Sequence, residues 1–419
     1  MKLRRLLTLS AIVSVASLFA FTDSVSPQSE PSAFELASPK DTMLVIYDSS
    51  IFPGDSVLRA DTVVLPSMFA NSIGDEDFTK AQTDTVVRTA IVFSDIYGKK
   101  DMEFARGFLL GMQQAELPVG SVSLKMINGS IPQDSLIFEL NSFKPSVVFS
   151  TFEKDTPLAL LSYTEDNYAK LFNVFDAKGD EYKYNPSVYE LLSPSQVFNA
   201  NAASYFMENF GNNVLLIVGE PDVSDVILKE LIIAWPEEQM LVMSKEDLAK
   251  FSLDEGFNYI LYPIVSGENE IEEIMKQIVK LIADNPMAGV RVVGRPNWIT
   301  LNDLKKLVEN VEVFVPAKCY FEPSADASKR FIAAYNGQYK HTPVKSYPVF
   351  AVMGYDAARY FMPLLVGEQR GDIGVWTPGD MLQSYFNMQE AGWGKGVYND
   401  GGYILHFLPW GVMQKELLD

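Results

Sequence analysis

The stretch that decides the fold is residues 331–356, FIAAYNGQYKHTPVKSYPVFAVMGYD. Its aromatic residues Phe331, Tyr335 and Tyr339 recur at every fourth position, which is the spacing of one face of a helix. A turn containing Pro343 follows, and a second helical pattern then runs into Gly-Tyr-Asp. The stretch therefore predicts an amphipathic helix, a turn and a second helix.

Upstream of this helix pair, strand-like and helix-like segments alternate from Val87 onward. Apolar runs such as TAIVFSD (89–95) and NVLLIVGE (213–220) have the pattern of buried strands, and helical patterns lie between them. This alternation predicts βαβ units and parallel sheets. The strands outnumber those of one small sheet, and an irregular break at 182–195 divides them. We expect an α/β fold of two doubly wound, Rossmann-like lobes.

The bulk composition is that of a globular protein. The chain has 419 residues, of which 47% are hydrophobic and 21% charged, enough for two or three lobes. Its net charge of −20 disfavours nucleic acid and anionic membrane surfaces, which would repel it. Cys319 is the single cysteine, so no internal disulfide can form. We expect it to be a packed thiol in a strand-like run.

The N-terminal region predicts secretion. Lys2, Arg4 and Arg5 precede an uncharged apolar run, so residues 1–20 read as a signal peptide, and the alternative is an uncleaved anchor. No cysteine directly follows the run, so a lipoprotein is not evident, and the expected location is periplasmic or secreted. Residues 21–86 read as a linker that can carry a small β element.

Several segments together carry a family resemblance. AIVFSDIYG (90–98) with FARGFLLGMQQA (104–115), SVYELLSPSQVFNANAASYF (187–206), VVGRPNW (292–298) and the helix pair follow one another in order. From about residue 87 onward the chain resembles the type I periplasmic solute-binding proteins of the branched-chain amino-acid branch. No single motif is diagnostic, and the resemblance lies in the order of all of them.

The resemblance implies a periplasmic binding protein-like I architecture, with two lobes, a hinge and three crossovers between the lobes near residues 191, 317 and 388. The expected first lobe comprises 87–190 plus 318–388. The expected second lobe comprises 191–317 plus 389–419. A small molecule would be held between the lobes, in loops that follow strands. The ligand-binding residues expected from these loops are Ser94, Tyr97, Thr151, Phe152, Lys154, Lys178, Glu220, Ser266, Arg295 and Trp298.

Arg295 and Trp298 give the sharpest binding hypothesis. A guanidinium can hold a carboxylate or phosphate, and an indole ring can stack on an apolar or sugar face. The alternatives are a surface ion pair and a helix-capping aromatic. Lys154 and Lys178 would add positive charge at the mouth of the cleft, or they are solvated loop lysines.

The loops depart from the amino-acid-binding pattern of the family. That pattern offers hydroxyl groups and backbone amides to the ligand's carboxylate, whereas TFEKDT (151–156) and AKGDEYKYN (177–185) stand here. The sequence leaves the ligand class open between amino acid-like and anionic molecules, and loss of small-molecule binding fits as well.

Signals for catalysis, metals or cofactors are weak. His341 and His406 have no metal-ligand spacing, and no GxSxG marks a nucleophile. The glycine-rich 392–396 lacks the ending of a phosphate loop and predicts a tight turn. We therefore expect a non-enzyme without a cofactor or metal. A hydrolase would need a histidine beside a serine or aspartate in the cleft.

Two functions remain open. The first is a solute-binding protein for uptake or sensing, partnered by a membrane transporter. The second is a non-transport regulator of cell-wall synthesis or envelope assembly, whose lobes bind a protein partner. An intact cleft with convergent polar groups would favour the first, and a cleft filled by Phe152 or Tyr97 the second. Trp410, near the end of an apolar run, is a further candidate for partner contact.

Overall fold

The computed structural model describes residues 42–47, 62–64, 86–153, 156–175, 180–221, 224–301, 303–371 and 381–418. The expected signal peptide, Lys154 and Lys178 lie outside these ranges. Within them the chain forms two mixed sheets flanked by helices, which confirms the prediction of a two-lobed α/β fold. None of the helices in these ranges is long and apolar enough to cross a membrane.

Nine of the described strands form the first sheet. They are β1 (Thr42–Tyr47), β2 (Thr62–Val64), β3 (Val87–Phe93), β4 (Val122–Asn128), β5 (Val147–Ser150), β6 (Lys170–Asn173), β7 (Val188–Glu190), β13 (Met388–Glu390) and β14 (Val397–Asn399). Their order is β13-β14-β7-β6-β5-β3-β4-β1-β2. All neighbours are parallel except the two edge pairs, β13 with β14 and β1 with β2.

The other seven described strands form the second sheet. They are β8 (Val214–Val218), β9 (Met240–Met243), β10 (Asn258–Pro263), β11 (Gly289–Val293), β12 (Val313–Ala317), β15 (Gly402–Leu408) and β16 (Val412–Leu418). Their order is β16-β15-β12-β11-β10-β8-β9, with β15 and β16 antiparallel to their neighbours.

Helices connect the strands and cover both faces of each sheet. They are α1 (Lys99–Gln113), α2 (Gln133–Phe143), α3 (Leu158–Asp166), α4 (Ser195–Phe210), α5 (Val226–Ala234), α6 (Lys245–Leu248), α7 (Glu268–Asp284), α8 (Leu304–Leu307), α9 (Asp326–Tyr339) and α10 (Phe350–Arg370). Each sheet has a buried apolar cluster on either face, as the continuous apolar strands require. The predicted helix pair is present as α9 and α10.

The strands correct the expected lobe boundary near residue 388. Both β13 and β14 belong to the first sheet, so residues 389–399 are part of the first lobe and the chain crosses after Asn399. The pattern failed here because β14 has three residues, too few for a hydrophobic run. The β element within residues 21–86 is present as β1 and β2, and β1 pairs with β4.

All three crossovers lie at the carboxyl edges of the parallel strands. The first leaves β7 for α4, the second leaves β12 toward α9, and the third joins β14 to β15. β15 begins beside the carboxyl end of β12, because Tyr403 pairs with Ala317. Because each crossover leaves one sheet and enters the other lobe at this edge, the carboxyl edges of the two sheets face each other across the crossovers.

Buried Asn399 ties the first and third crossovers together. Its Nδ2 donates to the carbonyls of Leu191 and Tyr385, both at 2.9 Å, and its Oδ1 accepts from the amides of Asn387 and Gly401. One amide side chain thus satisfies four backbone groups at the place where the lobes join.

Helices α1 and α10 approach each other backbone to backbone. A Cβ built on Gly354 would lie 2.0 Å from the Phe104 carbonyl oxygen, and one on Gly107 would lie 1.7 Å from that of Ala351. Beneath them, rings of Phe108, Phe149 and Phe172 lie on the same face of the first sheet, with centroids 4.8 and 4.9 Å apart. Because Gly354 and Gly107 have no side chains, the backbones of α1 and α10 can pack in direct contact above these rings.

Asp356, in the predicted Tyr-Asp-Ala motif of α10, holds the segment that leads to the third crossover. Its carboxylate is fully buried and accepts hydrogen bonds from the amides of Leu382, Gln383 and Ser384 at 2.8–2.9 Å. Burial raises the pKa of Asp356 to about 6, although the three amides act in the opposite direction.

Substitution of Gly354 by alanine should destabilise the protein strongly, because the added methyl group forces two helix backbones apart. We expect a loss of about 3 kcal/mol in the free energy of unfolding, measured with urea. Gly337→Ala on α9 is the matched control, since nothing lies within 4 Å of its Cβ position, and it should be neutral or stabilising. Equal losses in the two variants would contradict the close-packing argument.

The pH dependence of stability should report Asp356. Its pKa is raised on folding, so its contribution to stability is fully present below about 3.8 and is lost as pH rises through about 6. The stability advantage of the natural protein over Asp356→Asn should therefore shrink by up to about 3 kcal/mol between pH 4 and pH 8. Asp254→Asn, at an exposed aspartate, is the control in the same urea titrations. An advantage that grows with pH would rule out this assignment.

Candidate functional site

The candidate site lies where the carboxyl edges of the two sheets face each other. The loops after β3 and β5 carry Ser94, Tyr97, Thr151 and Phe152 from the first lobe. The loops after β8, β10 and β11 carry Glu220, Ser266, Arg295 and Trp298 from the second lobe. The topology therefore brings the described part of the expected residue set to one pair of edges, although their side chains play different roles.

Ser94 and Thr151 meet at a carboxylate of the protein itself. The Ser94 amide donates to Thr151 Oγ1 at 2.9 Å and to Asp101 Oδ1 at 3.1 Å. The hydroxyl groups of Ser94 and Thr151 also donate to Asp101 Oδ1. The Ser94 amide and the two hydroxyl groups could otherwise donate hydrogen bonds to an anion from solution. All three already donate to Asp101 Oδ1.

Asp101 was not among the expected site residues. It looks in the sequence like an ordinary acidic residue in a first helical turn, where carboxylates are common. In the structure it is fully buried, and burial raises its pKa, opposed by the hydrogen bonds from Thr151 and Ser94. Its Oδ2 has no hydrogen-bond partner among the described residues and lies 2.6 Å from the Cβ position of Gly98. A side chain at position 98 would displace the Asp101 carboxylate.

Tyr97 and Phe152 do not fill the cleft together. The Tyr97 side chain is 72% exposed, whereas Phe152 is half-buried and packs over Gly129, within 2.7 Å of that residue's Cβ position. Beside them, Lys100 pairs with Glu153 at 2.6 Å, so the positive charge at this loop is balanced. Tyr97 is thus an exposed aromatic residue at the carboxyl edge of the first lobe.

Arg295 and Ser266 do meet on the second lobe. Arg295 Nη1 donates to Ser266 Oγ at 2.9 Å, and Arg295 Nε pairs with buried Asp225 at 2.8 Å. The Tyr262 hydroxyl donates to both oxygens of Asp225, and burial raises the pKa of Tyr262, which keeps the donor proton in place. The guanidinium is held in a fixed position with 19% of its side chain exposed, and its charge is neutralised by Asp225.

Asp225 and Tyr262 were missed by sequence reasoning. Asp225 could have been found as the N-cap of α5, since it directly precedes the helical run VILKELIIA and accepts from the Leu228 amide. Tyr262 sits in an apolar strand, where its hydroxyl gives no signal of its own. Glu220 is exposed after Gly219, and none of the described hydrogen bonds or ion pairs includes its side chain.

Trp298 is a core residue, contrary to its expected stacking role. Its side chain is fully buried in the second lobe, and its Nε1 donates to the Val265 carbonyl at 3.0 Å. The ring lies over Gly294, whose Cβ position is 2.6 Å from it. The short 3₁₀ helix Pro296–Thr300 turns the indole inward, so its ring cannot meet a ligand in this conformation.

The histidines and the cysteine lie in structural surroundings. His341 Nε2 is 3.2 Å from Arg106 Nη1, and His406 contacts Glu312 and Glu416, each at 3.0 Å. In the described hydrogen bonds neither imidazole meets a serine or aspartate side chain. Cys319 is buried, and burial raises the pKa of its thiol to about 12, as fits a packed thiol. The described residues contain no cluster of three metal-ligating side chains.

Removal of the internal carboxylate should create an anion site. We expect Asp101→Ala to lose about 1–3 kcal/mol of stability, because Ser94 and Thr151 donors are left unpaired. Sodium acetate at tenfold its dissociation constant should then restore about 1.4 kcal/mol relative to sodium chloride. Thermal unfolding measures both effects.

Two controls make this outcome specific. Asp134→Ala removes an exposed first-turn aspartate of α2 and should show no response to acetate. In the double variant Asp101→Ala/Thr151→Val the acetate response should be reduced, since one donor is gone. If acetate stabilises all variants alike, the carboxylate-for-carboxylate replacement is wrong.

Comparison with known proteins supports the fold. No family model matches the chain, and no curated protein is similar to it in sequence. Solved structures are similar, including a putative branched-chain amino acid ABC transporter from Rhodospirillum rubrum, at 14% identity and a TM-score of 0.52, over 79% of this chain and 100% of that one.

Two further solved structures are of LpoA from Haemophilus influenzae. The full-length protein is 12% identical with a TM-score of 0.47, over 79% of this chain and 59% of that one. Its C-domain, described as a regulator of PBP1A, is 13% identical with a TM-score of 0.46, over 78% of this chain and 99% of that one. This chain thus spans 59% of the length of full-length LpoA.

This chain has two α/β sheets joined by three crossovers, and its structure aligns with the whole Rhodospirillum rubrum chain. This protein has a type I periplasmic binding protein-like fold.

Proposed function

We propose that this protein is a non-enzymatic binding protein of the cell envelope whose cleft engages a protein partner and not a free amino acid or anion. The observation that carries the proposal is the internal use of the cleft's polar groups. Asp101 takes the donors of Ser94 and Thr151 on the first lobe, and Asp225 neutralises Arg295 on the second. Envelope location is supported by the signal-like residues 1–20.

The mechanism would be closure of the lobes about the three crossovers. A partner that touches both carboxyl edges stabilises the closed arrangement by its greater affinity for it. Exposed Tyr97 on the first edge and partly exposed Arg295 on the second are the contacts we assign to it. Both residue types are enriched among the side chains that dominate binding energy at protein interfaces.

Solute binding for uptake or sensing is the second candidate. It is favoured by Arg295, whose guanidinium is positioned by two partners while part of it remains exposed. Positioned arginines of this kind recognise carboxylates and phosphates. A membrane transporter would then be the partner that detects the closed form.

Thermal unfolding with a ligand panel separates the two candidates. The panel holds amino acids, dicarboxylates, sugars, nucleosides and peptidoglycan fragments. We expect no stabilisation by the amino acids or dicarboxylates, because the donors they need are already used. A ligand at a hundred times its dissociation constant would add about 2.7 kcal/mol, which the measurement detects readily.

A matched pair of arginine variants interprets a positive result. Arg295→Ala removes the cleft guanidinium, whereas Arg291→Ala removes one on the preceding strand, β11, that pairs with Glu312. Anion stabilisation that Arg295→Ala abolishes and Arg291→Ala retains would overturn the proposal and establish the solute-binding candidate. Photo-crosslinking from position 97 should capture a protein partner in intact cells, and crosslinking from exposed position 279 on α7 should not.

A further inference from the structure

Three aromatic side chains stand almost fully in solvent along one edge of the first lobe. Tyr168, Tyr184 and Trp393 are 93%, 81% and 102% exposed. Full exposure forgoes the burial free energy that large aromatic rings normally contribute to folding. A single exposed ring needs no explanation, but three on one edge mark a surface with a purpose outside the fold.

Their placement follows from the strand register. Tyr168, Tyr184 and Trp393 each precede the amino end of a strand, namely β6, β7 and β14. These three strands are consecutive and parallel in the first sheet, with spacings of about 4.8 Å. The Gly396 amide donates to the Tyr182 carbonyl at 2.7 Å, which joins the segments of Trp393 and Tyr184 directly. The segments that carry the three aromatics thus lie side by side at the edge opposite the cleft.

The backbone at or beside two of these aromatic residues has positive φ values. Tyr168 has a φ of +54° just beyond α3, a left-handed position where glycine is the favoured residue. Trp393 lies between Gly392 and Gly394, with φ values of +129° and +72°, so no neighbouring side chain crowds its ring. A tyrosine in a strained conformation with an exposed ring costs stability and gains no internal contact.

The surroundings of the row are polar and carry charges of both signs. Segments 164–169, 183–187 and 391–396 carry two acidic and two basic residues, together with Asn167 and Asn185. None of these segments contains an exposed leucine, isoleucine, valine or methionine, of the kind that fills the centre of a protein interface. Rings flanked by amides and charged groups offer stacking faces and hydrogen bonds to the same ligand.

Two kinds of polymer stack their repeating units on rows of aromatic rings, namely single-stranded nucleic acids and extended polysaccharides. Nucleic-acid platforms combine the rings with a positively charged groove. A chain with net charge −20, whose platform carries charges of both signs, lacks that attraction. Pyranose rings present apolar C–H faces and need no charge, and the spacing of adjacent strands is comparable with the length of one sugar.

We propose that Tyr168, Tyr184 and Trp393 form a platform that binds an extended, uncharged, β-1,4-linked polysaccharide chain. The site lies at the amino edge of the first sheet and does not depend on what the cleft binds. Its occupant would stack on the three rings and hydrogen-bond to the flanking amides.

The test uses the full mature chain and hexa-N-acetylchitohexaose, with cellohexaose as a second probe, followed by calorimetry and tryptophan fluorescence. Trp393→Ala should weaken binding about tenfold, as expected for one lost stacking contact. Trp410→Ala is the matched control, because Trp410 is 91% exposed on the second lobe, in the β15–β16 turn, and it should leave the affinity unchanged.

Tyr168→Gly provides an independent readout. It should raise the melting temperature, since glycine suits the left-handed position, and yet weaken glycan binding.

The proposal is overturned if the natural protein binds neither hexasaccharide at about 5 mM. It is also overturned if Trp410→Ala weakens binding as much as Trp393→Ala, or if Trp393→Ala abolishes capture of a protein while glycan binding persists. Arg295→Ala, which probes the cleft, should not alter these affinities, so failure of either proposal can be recognised separately.

Discussion

A single buried carboxylate links the packing of the first lobe to the junction between the lobes. Asp356 projects from α10, whose backbone is pressed against α1 through Gly354 and Gly107. It accepts three consecutive amides from the segment that leads into the third crossover. Without a side chain at either glycine, α10 reaches the depth at which its aspartate meets these amides. Helix packing, the course of the chain after α10 and the position of Asn399 thus depend on one close approach.

Much of this architecture could be predicted from local patterns, and the failures have physical causes. Buried strands such as β8 have no polar face, and the helix pair has an aromatic stripe, so both are recognised within a short window. β14 was assigned to the wrong lobe because its three residues are held by neighbours distant in sequence. Trp298 was expected in the cleft because it follows a strand, but one turn of 3₁₀ helix rotates it into the core. Asp101 was overlooked since its partners, Ser94 and Thr151, are brought to it only by folding.

The same comparison separates the positions of site residues from their function. Strand order brings the expected loops to facing edges, which the sequence predicts correctly. It does not say whether a hydroxyl group points to solvent or to a neighbouring carboxylate, and the proposed function rests on that difference. The amino edge shows the opposite situation. There, Tyr168 and Trp393 lie in turns that can be recognised in the sequence. Only the pairing of adjacent strands shows that these turns lie at the same edge of the sheet.

The third crossover has a consequence for biosynthesis. Residues 388–399 supply β13 and β14 to the first sheet, and residues 402–418 supply β15 and β16 to the second. One late segment of about thirty residues therefore closes an edge of each lobe. Neither lobe can complete its sheet as a nascent chain until that segment has left the ribosome, although their central strands are made much earlier. The two halves mature together, and the open edges of both must be shielded from other chains until then.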